Sequence, residues 1–136
     1  MRIFWLLLIL VPASLTGQHR LQVEAEGVMS SEGYVMVALY REEGSFLKLH
    51  GVFRNAKVPA EKGVTRVVLE DLPEGEYALA IFHDKNGNEQ LDTNWLGIPK
   101  EPLGFSRARM KTFGPPGFWE CTIALREDTV IQIPLE

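Results

Sequence analysis

Cysteine is nearly missing from this chain of 136 residues: Cys121 stands alone, so no internal disulfide can staple the fold. The domain must hold itself by packing, with or without a metal. No G-x-S-x-G elbow, no Gly-rich phosphate loop and no zinc-type spacing occurs. His19, His50 and His83 lie far apart. No internal repeat and no low-complexity tract is visible. Positive charge is also short: 14 Lys and Arg face 18 Asp and Glu, a formal net of -4. That balance argues against general nucleic-acid binding. Nor is there an apolar run long enough to span a bilayer, which takes about 20 residues.

A short apolar run is present at the start. Arg2 precedes Ile3 to Val11, and Pro12, Ala13, Ser14, Thr16 and Gly17 follow. A cationic start, a short apolar stretch and a small-residue end are the layout of a secretory signal peptide. The sequence therefore predicts a signal peptide over 1–17 and a single domain over 18–136, secreted or periplasmic. The alternative is an N-terminal anchor or a buried strand. No Cys follows the run to carry a lipid. A disulfide-free secreted domain fits a bacterial periplasm or surface.

Alternation dominates the first half of the chain. Leu21, Val23 and Ala25 alternate with Gln22, Glu24 and Glu26, as in a strand with one wet face. Tyr34 to Tyr40 (YVMVALY) is apolar on both faces, as in a central strand. Further strands are expected over Val52 to Val58, Val64 to Leu69, Glu76 to His83, Cys121 to Leu125 and Thr129 to Leu135. Only Ser45 to His50 reads as helical. About seven strands with regular turn signals predict an all-β fold, a single Greek-key β-sandwich with one long ordered loop from about Asp84 to Glu120.

Several motifs then stand out: G-x-V-x-V-A-L-Y at Gly33 to Tyr40, D-L-P-x-G-x-Y-A-x-A-x-F-H-D at Asp71 to Asp84, and N-G-N at Asn86 to Asn88. L-D-T-N-W-L-G-I-P at Leu91 to Pro99, G-F-S at Gly104 to Ser106 and F-G-P-P at Phe113 to Pro116 complete the set. Together they resemble the secreted bacterial family called domain of unknown function 2141. The resemblance implies a signal peptide, one β-sandwich and no established activity. The segment ending L-P-x-G-x-Y is also similar to prealbumin-like and carboxypeptidase-regulatory-like sandwich modules, which are usually accessory domains. Two departures from the family pattern matter. Glu89 stands where Gly is common, and Arg107 to Met110 stand where small polar residues are common.

The chemistry-bearing residues gather in the long loop. Asp84, Asn86, Asn88, Gln90 (through its carbonyl) and Asp92 supply oxygens at alternate positions, which suits Ca²⁺. The match to an EF-hand fails at Glu89 and Trp95, so any such site is of another shape and of weak affinity. Asn86-Gly87 equally reads as plain turn chemistry without metal. Trp95, Phe105, Phe113, Phe118 and Trp119 form either an exposed binding surface or apolar anchors for the loop. Arg107, Arg109 and Lys111 alternate and suit an anionic group, or are a solvated face. His83 beside Asp84 suggests a general base, yet strand neighbours point to opposite faces and a buried structural histidine fits better. Cys121 is expected in the core.

The expectation is a monomeric, non-enzymatic binding or accessory module. It contacts a protein or glycan partner at the cell envelope through Trp95, Phe105 and the Arg107 to Lys111 stretch. A hydrolase using His83 with Asp84 or Glu120, and a self-associating envelope protein, are the alternatives. Pro134, near the end of the last strand, argues against free edge pairing.

Overall fold

The computed structural model describes residues 17–136; the expected signal peptide lies almost wholly outside them. Eight strands follow one another: β1 (Gln18–Val28), β2 (Tyr34–Tyr40), β3 (Arg54–Pro59), β4 (Gly63–Pro73), β5 (Gly75–Asp84), β6 (Leu103–Phe105), β7 (Thr122–Leu125) and β8 (Thr129–Pro134). They form two sheets. The smaller has the order β4-β1-β8. The larger has the order β3-β2-β5-β6, and β7 pairs with the other end of the same β5 edge. All pairings are antiparallel except β1 with β8, where Leu21 to Glu26 run parallel to Thr129 to Pro134.

The expected alternation decides which residues face inward. Leu21, Val23 and Ala25 of β1 and Val67 and Leu69 of β4 meet Val35, Val37, Leu39, Leu79 and Ile81 of the larger sheet. Full burial of a Val, Leu or Ile side chain is worth about 1.5–3 kcal/mol, so this layer carries most of the stability. Tyr77 is also fully buried, and its hydroxyl donates to the Pro73 carbonyl at 2.5 Å.

Two expectations need correction. The stretch from Ser45 to His50 is not a helix but is divided between two single-turn 3-10 segments, Glu43–Ser45 and Leu49–Gly51. Six residues are too few to repay helix nucleation. The count of about seven strands misses β6, three residues set inside the long loop. Its reason for being there is packing. A Cβ on Gly104 would lie 2.4 Å from the Pro134 carbonyl oxygen, so only glycine lets β6 come this close to β8. Leu103 and Glu136 then exchange two backbone hydrogen bonds, at 3.1 and 2.9 Å, and tie the sheets together at that corner.

Candidate functional site

The outer face of the larger sheet is also apolar. Tyr40, Ala78, Leu103 and Phe105 belong to a second buried cluster there, with Phe118 and Cys121. Strand register explains its shape. Asn55, Ala38, Ala80 and Phe105 lie opposite one another across four strands, and Lys57, Met36, Phe82 and Leu103 form the next row. The two alanines sit side by side at the centre, so the floor dips where larger side chains would fill it.

Loops wall this floor on two sides. The segment after β2 is pinned by Phe46, whose ring packs edge-on against Tyr40 at 5.2 Å and Phe118 at 5.7 Å. It contributes Leu47, Leu49 and Val52 to the wall. The long loop contributes Leu91, Pro99, Met110 and Pro115. Between them is an open groove of about 890 Å³, with Asn88, Glu89, Gln90 and Thr93 along one rim. Small-molecule sites fall at roughly 300–1,000 Å³ and are mainly apolar with a few polar groups.

The long loop is built from short, self-satisfied turns. Ser106 is its clamp: it is buried, its hydroxyl donates to the Cys121 carbonyl, and it accepts the Leu79 N–H at 2.9 Å. Asn94 shapes another turn by accepting the N–H groups of Leu96 at 2.9 Å and Ile98 at 3.0 Å. A bridge between Thr93 and Pro99 closes that turn. A second bridge, Lys111 with Gly114, closes the turn carrying Phe113.

The predicted cation residues occupy the first turn after β5. Asn86 and Asn88 each donate a side-chain N–H to Asp92, at 2.7 and 2.8 Å, and these bonds hold the Asp92 carboxyl below its ordinary range. Their amide oxygens accept the backbone N–H groups of Asn88 and Gln90. The turn thus closes on itself by the Asx chemistry that the sequence also allows. Asp84 is different. It is 0% exposed, Oδ2 accepts the Glu89 N–H at 2.7 Å, and Oδ1 has no partner. Glu101, which the sequence reading passed over, lies nearby and accepts the Asp92 N–H at 3.3 Å. Burial pushes its carboxyl up, and the charges of Asp92 and Asp84 add to this. Among the described residues, no three His, Cys, Asp or Glu side chains are placed to hold a metal ion.

Glu89 takes φ of 62°, in the left-handed region that favours glycine, and forms an ion pair with Lys57 at 3.0 Å.

The aromatic residues divide. Phe105 and Phe118 are buried anchors, whereas Trp95 and Phe113 are 91% and 102% exposed. The basic residues do not form one free stripe. An Arg107 N–H donates to the Thr122 carbonyl at 2.9 Å, Arg109 pairs with Glu136, and Lys111 pairs with Glu120 at 2.7 Å. Phe105 alone of the predicted ligand contacts lines the groove.

His83 is fully buried, and its Nε2 donates to the Glu32 carbonyl at 2.7 Å while Nδ1 has no partner. Cys121 is buried as expected, but it ends a single helical turn, α1 (Phe118–Cys121), and packs in the outer cluster. Burial pushes its thiol up to about 11. The groove itself had no sequence signal beyond the alanines of Y-A-x-A and V-A-L-Y, whose meeting depends on register.

The fold and groove define a two-sheet β-sandwich with an open apolar depression on one outer face. Residues 23–133 match a family model described as an uncharacterized protein conserved in bacteria (DUF2141), and the chain belongs to that family. No curated protein and no solved structure matches the chain.

Proposed function

We propose that this protein is an exported, non-enzymatic binding module that holds a small amphipathic molecule in the groove on the outer face of the larger sheet. The observation that carries the reading is the adjacent pair Ala38 and Ala80, which leaves an apolar floor open between two loop walls. An apolar chain fits along this floor, and a polar end fits the Asn88 to Thr93 rim. A glycan is less suited, because sugars stack on exposed rings and the floor's Phe105 and Tyr40 are buried. A hydrolase is not favoured: His83 and Asp84 are sealed from solvent, and Glu120 is held by Lys111 and the Gly117 N–H. No described helix is long and apolar enough to cross a membrane.

Titration with a fluorescent long-chain fatty acid tests the reading. Binding in the micromolar range is expected, and Ala38→Phe should weaken it by about tenfold or more by filling the floor. Equal binding by both proteins would overturn it.

The unpartnered Oδ1 of Asp84 favours a second, compatible reading, a weak Ca²⁺ site with Asp92 and oxygens of Asn86, Asn88 and Gln90. Occupancy requires the two asparagine amides to turn their oxygens toward the ion and the turn to open enough to uncover the buried Asp84 carboxylate. A site of about 10⁻⁴ M affinity at a hundredfold excess adds about 2.7 kcal/mol. The expected result is a thermal midpoint that rises by several degrees in millimolar Ca²⁺ over EDTA, and does not rise in Asp84→Asn. An unchanged wild-type midpoint leaves the turn as Asx chemistry alone.

A further inference from the structure

Three turns border the mouth of the groove, and each holds out an apolar side chain that the protein does not cover. Leu49, in the first, is 92% exposed. Trp95, with Leu96 and Ile98 beside it, is 91% exposed at the tip of the second. Phe113 is 102% exposed in the third. That they surround one opening follows from their neighbours: Leu47, Gly97, Pro99, Met110 and Pro115 all line the same groove. The tips are braced rather than loose. Asn94 ties the second turn through two backbone N–H groups, and paired Lys111 and Gly114 hydrogen bonds close the third.

Charge around these tips is one-sided. Residues 46–53 contain one Lys or Arg, residues 93–100 one, and residues 107–115 three, and none of these segments contains Asp or Glu. Those three segments carry five cations and no anion in a chain whose net charge is -4, and the acidic Glu89 lies on the remaining rim. Among the described residues, Lys48 and Lys100 have no carboxylate within ion-pairing distance. The pairs of Arg109 and Lys111 are exposed, and such pairs are weak and easily exchanged for another anion.

We propose, building on the groove reading, that these three turns dock the protein on the surface of a lipid bilayer with anionic headgroups, so that the groove opens onto the acyl chains. Braced tips carrying Trp, Leu, Ile and Phe insert into the headgroup and upper acyl region, where tryptophan is favoured at the interface. Lysines and arginines behind them meet the phosphates. A protein partner would have to cover three separate protruding tips, whereas a fluid surface closes around each of them. The chain is peripheral in this arrangement and crosses nothing.

Co-sedimentation with vesicles is the test, using residues 17–136, which contain both sheets and the whole described core. The protein should pellet with phosphatidylcholine–phosphatidylglycerol vesicles and bind pure phosphatidylcholine less well. The triple variant L49S/W95S/F113S should lose about tenfold or more of its partitioning with its melt unchanged, because its side chains have no packing to lose. K48E/K100E should lose the preference for anionic vesicles while keeping the weaker neutral binding. A wild-type protein that stays in the supernatant with both vesicle types overturns the proposal and leaves the tips to a protein partner. So does a triple variant that pellets as well as wild type. Ala38→Phe separates the two readings: it should abolish capture of the free fatty acid and leave vesicle binding intact. If the fatty acid does not bind wild type but vesicles do, the groove reading fails and the docking surface stands.

Discussion

On the inner face of β2 and β5, Val37, Leu39, Leu79 and Ile81 are 0–2% exposed. One residue along the same strands, on the outer face, Ala38, Ala80 and Phe82 are only half-buried. The inner face meets a second sheet whose three strands pair without a break in register from Leu21 to Glu26, so large side chains from both sides fill the space. The outer face meets loops, which touch it at a few anchors and leave the rest open. Both faces are apolar. What separates a core from a groove here is the regularity of the cover and the size of the floor residues.

That contrast can be broken first on its inner side. Leu79→Ala removes a side chain with no exposure, and should cost about 2–5 kcal/mol in urea unfolding. A cost below about 1 kcal/mol would mean that the inner layer is as loosely covered as the outer one. Ser106→Ala attacks the cover of the outer face instead. It leaves the buried Leu79 N–H without its side-chain acceptor and should cost about 1–3 kcal/mol. It should also weaken fatty-acid binding, whereas Leu79→Ala should affect stability more than binding. Loss of both properties to the same degree by both variants would erase the distinction.

The smallest effect sharpens the end of the groove near Asp84. Glu101 has a carboxyl raised in the folded chain, so its contribution favours folding below the unfolded value and is lost as pH rises through the folded one. Glu101→Gln should therefore raise the urea midpoint at about pH 7 and lose that advantage near about pH 4. Asp92, whose carboxyl is held low, works in the opposite direction and loses stability on acidification, so the variant must be compared with wild type at each pH. A constant difference across that range would show that Glu101 is not strained by burial. Cys121, with its thiol pushed up to about 11, should stay unreactive toward thiol reagents until the chain unfolds.

Much of the sandwich was legible in the sequence because a strand of five or more residues is long enough to show either alternation or an unbroken apolar run. Tyr34 to Tyr40 and Glu76 to His83 read directly as the strands at the heart of the larger sheet. β6 was not legible: three residues hold too little pattern, and its place depends on Gly104 meeting Pro134, far along the chain. The site was legible as a loop and not as a surface. Asn86, Asn88 and Asp92 do come together, but whether their oxygens face a common point or the backbone is decided by side-chain rotation. Asp84 looked like the first residue of a turn and proved to be a buried one, packed where Gly33 passes so close that a Cβ would lie 2.0 Å from its carbonyl oxygen. The groove depended on Ala38 lying opposite Ala80, a matter of register that single-strand patterns do not carry.

The parallel pairing of β1 with β8 reaches further than the sheet it completes. Leu21 lies beside Thr129, so the first strand waits for almost the last residues to be made before its second edge is covered. Contacts this distant slow folding, since the intervening chain must close before they form. A chain built from its N-terminus therefore carries an open, unfinished smaller sheet until Thr129 to Pro134 are available. The order of the strands works as a timer on closure.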